Sequence, residues 1–168
     1  MSISIRPLVA GDLERLAELD GAYSSRHGLE RAVNLAALRF FERSGHSFVA
    51  EVGDAAVVDS AATDSTAGAE LAGFLLAQAV WTGERPTVHA HRLAAHEDAT
   101  AEARAALAGA LVKSAYDAGV YDLVFRTPRT DDALRTALLG EGYLEDDHVT
   151  LTLVLGTRAA AWAEGRRG

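Results

Sequence analysis

The sequence predicts an α+β domain, a sheet accompanied by about four helices. Three observations lead there. Residues 2–9 (SISIRPLV) and 149–155 (VTLTLVL) alternate polar and apolar side chains, the period of a half-buried strand. Between them, Leu13, Leu16, Ala17 and Leu19 recur on one helical face, and Leu35, Leu38 and Phe41 repeat the pattern. A chain of 168 residues that is 49% hydrophobic also has enough apolar surface for one core.

The elements follow in order. Strand 2–9 leads into a helix with Asp12 as its expected N-cap. The segment GAYSSRHGLERA breaks that helix before the second one begins. SFVAEV (47–52) is a strand, and residues 53–69, mostly Asp, Ser, Thr, Ala and Gly, form a long exposed connection. ELAGFLLAQAVW (70–81) and TVHAHRLAA (87–95) make an antiparallel pair turned at TGERP. An Ala-rich helix over 99–118 closes at Ala118-Gly119. YDLVFRT (121–127) is a strand, Asp131 to Gly140 a helix, and 149–155 the last strand. The order is β-α-α-β-β-β-α-β-α-β, and a short strand at 143–145 raises the count from six to seven. Residues 1–156 form the single domain. Residues 157–168 form a tail, with Arg166 and Arg167 as its solvated end.

Composition narrows the function. No cysteine is present, which removes a disulfide framework, a thiolate zinc site and a cysteine nucleophile together. The net charge of -8 opposes nucleic-acid binding, which draws its affinity from Lys and Arg on phosphates. The N-terminus lacks the basic-then-apolar order of a secretory signal. The apolar run 71–81 is too short to span a bilayer. The expectation is a soluble, cytoplasmic protein without a membrane or nucleic-acid partner; a homodimer is left open. Lys113 is the only lysine. His89, His91 and His96 lack a supporting carboxylate spacing, so no metal is expected.

Four segments carry a family resemblance: IRPLVAGDLERLAELD, the hairpin FVAEV…ELAGFLLA, the strand-helix HRLAAHEDATAEARAALAGALVKSAYDAGV, and DDALRTALLGEGY before a final strand. In this order and spacing they resemble the GNAT superfamily of acyl-CoA-dependent N-acyltransferases over roughly residues 3–155. The resemblance implies a three-layer fold with a twisted mixed sheet of six to seven strands. That sheet is splayed between strands four and five, here 87–95 and 121–127, where the family holds the pantetheine arm of acetyl-CoA. It also implies cofactor contacts at Leu93 and Ala95 on the fourth strand, at Thr100, Ala101, Ala103, Arg104 and Ala105 in the turn, and at Asp131.

The turn departs from the family pattern. A phosphate loop uses glycine so that backbone N–H groups approach the anion closely. Neither register of residues 99–105 supplies one, and Glu97, Asp98 and Glu102 add negative charge. Acids in a first helical turn also stabilise the helix, and Asp98 or Thr100 can cap it.

In the family a base on the fourth strand deprotonates the amine. The matching residue is His89, with His91 on the same face, and an imidazole titrates in the useful range. The family's tyrosine acid falls on Leu138, which cannot donate a proton. Tyr143 matches a packed aromatic. Tyr23, Ser24, Arg26 and His27 stand where acceptor contacts arise, as do Glu145, Asp146, Asp147 and His148, whose acids would favour a cationic amine. The implied function is transfer of an acyl group from acyl-CoA to a small-molecule or peptide amine by direct attack. The other reading is a GNAT-fold protein without this activity, a ligand-binding or regulatory module. Replacing Glu102 with glycine removes a carboxylate from beside the pyrophosphate position. Glu102→Gly is expected to tighten CoA binding about tenfold by calorimetry.

Overall fold

A computed structural model describes residues 2–53, 69–81, 83–99 and 101–145. The order is β1 (Ser2–Pro7), a 3-10 turn (Ala10–Asp12), α1 (Leu13–His27), α2 (Leu35–Ser44), β2 (Phe48–Gly53), β3 (Glu70–Trp81), β4 (Pro86–Ala95), α3 (Ala101–Asp117), β5 (Asp122–Phe125) and α4 (Asp132–Gly140). The strands lie side by side in sequence order. All neighbours are antiparallel except β4 and β5, which are parallel. A parallel pair needs a long crossover, and α3 supplies it.

The sheet is buried on both faces. One face packs Leu75, Ala77, Val88, Ala90 and Leu93 against Leu107 and Leu111 of α3 and Leu134 and Leu138 of α4. The other packs Val49, Phe74 and Leu76 against Leu16 and Leu19 of α1 and Leu38 of α2. The consecutive Leu75 and Leu76 therefore serve opposite cores, as strand alternation requires. Gly73 lets β3 and β4 approach closely: a Cβ there would lie 2.9 Å from the Ala94 carbonyl oxygen.

Glycines stop two helices where the sequence places the stops. Gly119 (φ 72) and Val120 return hydrogen bonds to Tyr116 and Ala115 of α3. Gly142 (φ 90) and Tyr143 do the same with Leu139 and Leu138 of α4. Both are left-handed caps that occupy the last helical carbonyls. The second explains a correction: Tyr143 closes α4, and 143–145 is not a strand. The sheet has five strands among the described residues, not six or seven. The predicted strand 149–155, the tail 157–168 and nearly all of the 53–69 connection lie outside those residues. The fifth strand is shorter than 121–127, and α3 is shorter than 99–118.

Asp12 corrects a second expectation, since its side chain does not cap α1. Its carboxylate accepts the Val9 N–H (3.1 Å) and two bonds from the Arg6 guanidinium (2.6 and 2.9 Å). Arg6 also reaches the buried Glu51 on β2 (3.0 Å), which Arg15 of α1 approaches at 2.9 Å. This network ties β1, β2 and α1 together. On α3, the exposed Lys113 pairs with Asp117 one turn on.

Burial alone would raise the Asp12 and Glu51 carboxyls; the Arg6 bonds, joined by Val9 at Asp12 and by Arg15 at Glu51, hold both below their ordinary values. Burial also lowers His46, whose Nδ1 lies 2.9 Å from Ser114 Oγ. Groups depressed in the folded state are protonated more readily when unfolded, so they cost stability as pH falls. Melting temperature is therefore expected to drop in two stages on acidification. The first starts near the ordinary histidine value of 6.5, and the second starts near the ordinary glutamate value of 4.5. Glu51→Gln should cost about 2–3 kcal/mol at neutral pH and shrink only the second stage, as followed by scanning calorimetry.

Candidate functional site

The two parallel strands stay together briefly. Thr87–Ala90 pair with Asp122–Phe125, and Arg126 N–H adds a bond to the Ala90 carbonyl (3.1 Å). Beyond Ala90, β4 continues to Ala95 while β5 has ended. The backbone edge of His91–Ala95 thus faces an opening, not a strand, among the described residues.

A bulge sits where the strands part. Ala77 pairs with Ala90 and Leu76 with Arg92, so His91 is an extra residue in β4. Bulges re-aim side chains. Here the consecutive His91 and Arg92 both reach the helices of one face. The His91 ring lies 5.7 Å from Phe41 of α2, and the Arg92 guanidinium lies 5.5 Å above the Tyr23 ring of α1.

His89 and His91 are neighbours, with ring centroids 6.3 Å apart. His91 Nε2 lies 3.0 Å from the Gln78 amide nitrogen, which can donate only to a neutral ring nitrogen. His89 Nε2 is enclosed without a partner. Burial, then the charge of Arg126, lowers both imidazoles, and His89 further lowers His91. Both are therefore neutral near pH 7, the form a proton acceptor requires.

The last turn of α1 crosses the opening. On one side Arg26 pairs with Glu97 of the β4–α3 turn at 3.2 Å. On the other, the buried Tyr23 donates its hydroxyl to Asp131 Oδ2 at 2.7 Å. Asp131 Oδ1 meanwhile accepts Leu134 N–H (3.0 Å) and caps α4. His27 stacks near Tyr23, with centroids 4.5 Å apart. Its Nδ1 lies 2.8 Å from Thr130 Oγ1 and its Nε2 lies 3.9 Å from Asp131 Oδ2. Burial, and then the Asp131 bond, pushes the Tyr23 phenol well above its usual range, so it stays protonated and keeps donating.

Arg92 and Asp20 anchor the same region. Arg92 Nη2 donates to the Glu30 carbonyl (2.7 Å), and its Nε lies 3.6 Å from Asp20 Oδ1. Asp20 Oδ2 accepts the N–H groups of Ala32 and Val33 (2.6 and 2.9 Å). These contacts draw the α1–α2 connection onto the sheet. Ser24 belongs to them, donating to the Glu30 carbonyl at 3.3 Å.

The turn before α3 is organised by Arg104, which folds back to donate to the carbonyls of Ala99 (2.7 Å) and His96 (3.5 Å). Ala103 is in the core, Ala105 is half-buried and Ala101 and Glu102 are exposed. Leu93 and Ala95 lie opposite Leu75 and Gly73 of β3. Leu138 is buried in the α4 core. Tyr143 packs edge-on to Phe125 (5.2 Å), and Glu145 pairs with Arg135 of α4. Thr100, Asp146, Asp147 and His148 lie outside the described residues.

Tyr23, His27 and Asp131, separate candidates in the sequence, thus meet in one cluster. Sequence reasoning missed Thr130, Arg92, Asp20 and Gln78. Thr130 gives a faint signal by preceding an N-cap aspartate; the other three sit within helical or strand patterns.

A mixed sheet opened after a short parallel pair, with paired helices on each face, defines the GNAT fold. The chain belongs to the DUF1999 family, described as proteins of unknown function, whose sequence profile matches residues 5–167. Wild-type TTHA1254 from Thermus thermophilus is similar in structure, with a TM-score of 0.70 and 40% identity over 92% of this chain and 99% of that one. Ribosomal-protein-alanine N-acetyltransferase from Brucella melitensis biovar Abortus 2308 shares the fold at 17% identity, TM-score 0.61, covering 92% and 100% of the two chains. A chain of the NatC complex bound to Gag peptide and CoA does so at 14% identity, TM-score 0.62, covering 88% and 87%. No curated protein matches the chain. No helix among the described residues is long and apolar enough to cross a membrane.

Tyr23→Phe keeps the ring but removes the hydroxyl that satisfies a buried carboxylate. The loss is expected to be about 1–3 kcal/mol in urea unfolding, well above that of an exposed substitution such as Ser25→Ala.

Proposed function

We propose that this protein is an acyl-CoA-dependent N-acyltransferase, with acetyl-CoA as the donor and a small-molecule or peptide amine as the acceptor. The observation that carries the proposal is the backbone edge of β4 from His91 to Ala95, left without a β5 partner. An amide-bearing arm can add to such an edge as a strand would. The coarser support is the shared fold, which by itself fixes no activity.

In this reading the arm lies along Leu93 and Ala95, and the pyrophosphate meets the start of α3 at Ala101, Ala103 and Ala105. Arg104 supplies the positive charge that a glycine loop would leave to backbone N–H groups. Glu97 is an obstacle in the sequence alone, but Arg26 offsets its charge. Asp131 flanks the arm from the α4 side. The amine enters from the α1 side, past Tyr23, Arg26 and His27. It attacks the thioester carbonyl while His89, neutral near pH 7, takes the proton through water. With Leu138 in place of an acid, CoA departs as the thiolate.

The second reading, a GNAT-fold binding module, draws on the same two departures, the glycine-free turn and Leu138. Calorimetric titration with CoA separates them: micromolar binding weakened by Arg104→Ala is expected of the enzyme, and no binding would favour the module. With an acceptor in hand, His89→Ala should lower kcat by about 10²–10⁴ with little change in KM for acetyl-CoA. A kcat of His89→Ala equal to that of the parent across pH 6 to 9 would remove His89 from the mechanism.

A further inference from the structure

A hydroxyl, an imidazole and a carboxylate stand in sequence beside the opening. Thr130 is exposed, and its Oγ1 lies 2.8 Å from His27 Nδ1. The His27 side chain is only 7% exposed, and its Nε2 lies 3.9 Å from Asp131 Oδ2, itself on a side chain 8% exposed. The carboxylate decides the tautomer. A neutral His27 that turned a bare Nε2 toward Asp131 would set lone pair against anion. The proton therefore belongs on Nε2, an assignment made from the network, and Nδ1 becomes the acceptor for the Thr130 hydroxyl.

We propose that Thr130 is a nucleophile activated by His27, whose tautomer the nearby Asp131 charge selects, and that it accepts acyl groups from esters or thioesters to form an acyl-threonine. A hydroxyl within hydrogen-bond reach of a neutral imidazole is the pairing that activates hydroxyls on unrelated folds; the carboxylate acts on His27 by its charge across 3.9 Å, not by a hydrogen bond. In the first half-reaction a bond forms between Thr130 Oγ1 and the acyl carbon, and the hydroxyl proton passes to His27 Nδ1. The carbon–sulfur or carbon–oxygen bond then breaks, and the leaving group takes that proton. In the second half, water attacks the acyl carbon and gives a proton to His27 Nδ1. The carboxylic acid leaves and the proton returns to Thr130 Oγ1.

The surroundings suit the charge that forms. The transient imidazolium lies near both the Asp131 carboxylate, 3.9 Å from Nε2, and the Tyr23 ring, whose centroid is 4.5 Å away, within cation–π range. Tyr23 and Leu134 N–H hold both oxygens of Asp131, so the carboxylate keeps its place. Asp132 and Ala133 open α4 directly after this cap, and the N–H groups of a first turn have no carbonyl within the helix to bond.

The test is labelling of the full chain with a fluorophosphonate, which modifies activated hydroxyls, followed by peptide mass spectrometry. Labelling is expected at Thr130, retained in Thr130→Ser, absent in Thr130→Val, and slowed at least about a hundredfold in His27→Gln. Unfolding midpoints of the variants establish that they are folded; should His27→Gln unfold, Thr130→Ser against Thr130→Val still decides the site. An unlabelled parent, a label on another residue, or equal labelling of folded His27→Gln would overturn the proposal. It does not require CoA as the donor. Thr130→Val should leave the calorimetric response to CoA as in the parent, so failure here and failure of the acyltransferase reading are distinguishable.

Discussion

Four residue pairs hold β5 against β4, and this brevity shapes the rest of the molecule. A parallel strand cannot return by a tight turn, so α3 must carry the chain across the sheet. Once β5 ends at Phe125, no strand among the described residues lies beside the far half of β4. The last turn of α1 reaches this region from the opposite side of the sheet to α3, through Tyr23 on Asp131 and Arg26 on Glu97. The bulge at His91 belongs to the same solution, because it swings Arg92 under that turn.

Asp131 shows how much can rest on one carboxylate. One oxygen closes the N-terminus of α4 and the other receives the Tyr23 hydroxyl, so a local helix cap is also a long-range link between residues 108 positions apart. A buried carboxylate is tolerated only when its bonds are made, and here helix, tyrosine and histidine all gather round it. Stability and chemistry are therefore coupled at this point: a substitution that frees Asp131 loosens α1 as well as α4.

The alternation and helical periods made the architecture legible, since strands and helices expose their faces at fixed intervals. Gly119 and Gly142 marked helix ends because few other residues tolerate positive φ. Tyr143 misled: an aromatic before a predicted strand reads as strand, but its N–H was already committed to Leu138. Asp12 misled differently, since an aspartate before a helix reads as a cap until Arg6, close in sequence but on another element, claims it. The site was half legible. Tyr23, His27 and Asp131 lay at family positions, but their meeting depends on how α1 crosses the sheet. Arg92 was hidden because a bulge, which no periodicity announces, turns it inward. The acids of the β4–α3 turn were visible, but not that Arg26 would neutralise one of them.

Lys113, paired with Asp117 on the exposed side of α3, is the only ε-amine in the chain. Amine-directed chemistry therefore has one side-chain address on this molecule. A thioester, an activated ester or an isothiocyanate would mark Lys113 and no other side-chain amine. For a protein proposed to handle acyl thioesters, the surface is nearly inert toward stray acylation. For the experimenter, it offers a single defined side-chain point of attachment, exposed in the last turns of α3 at the end away from Arg104.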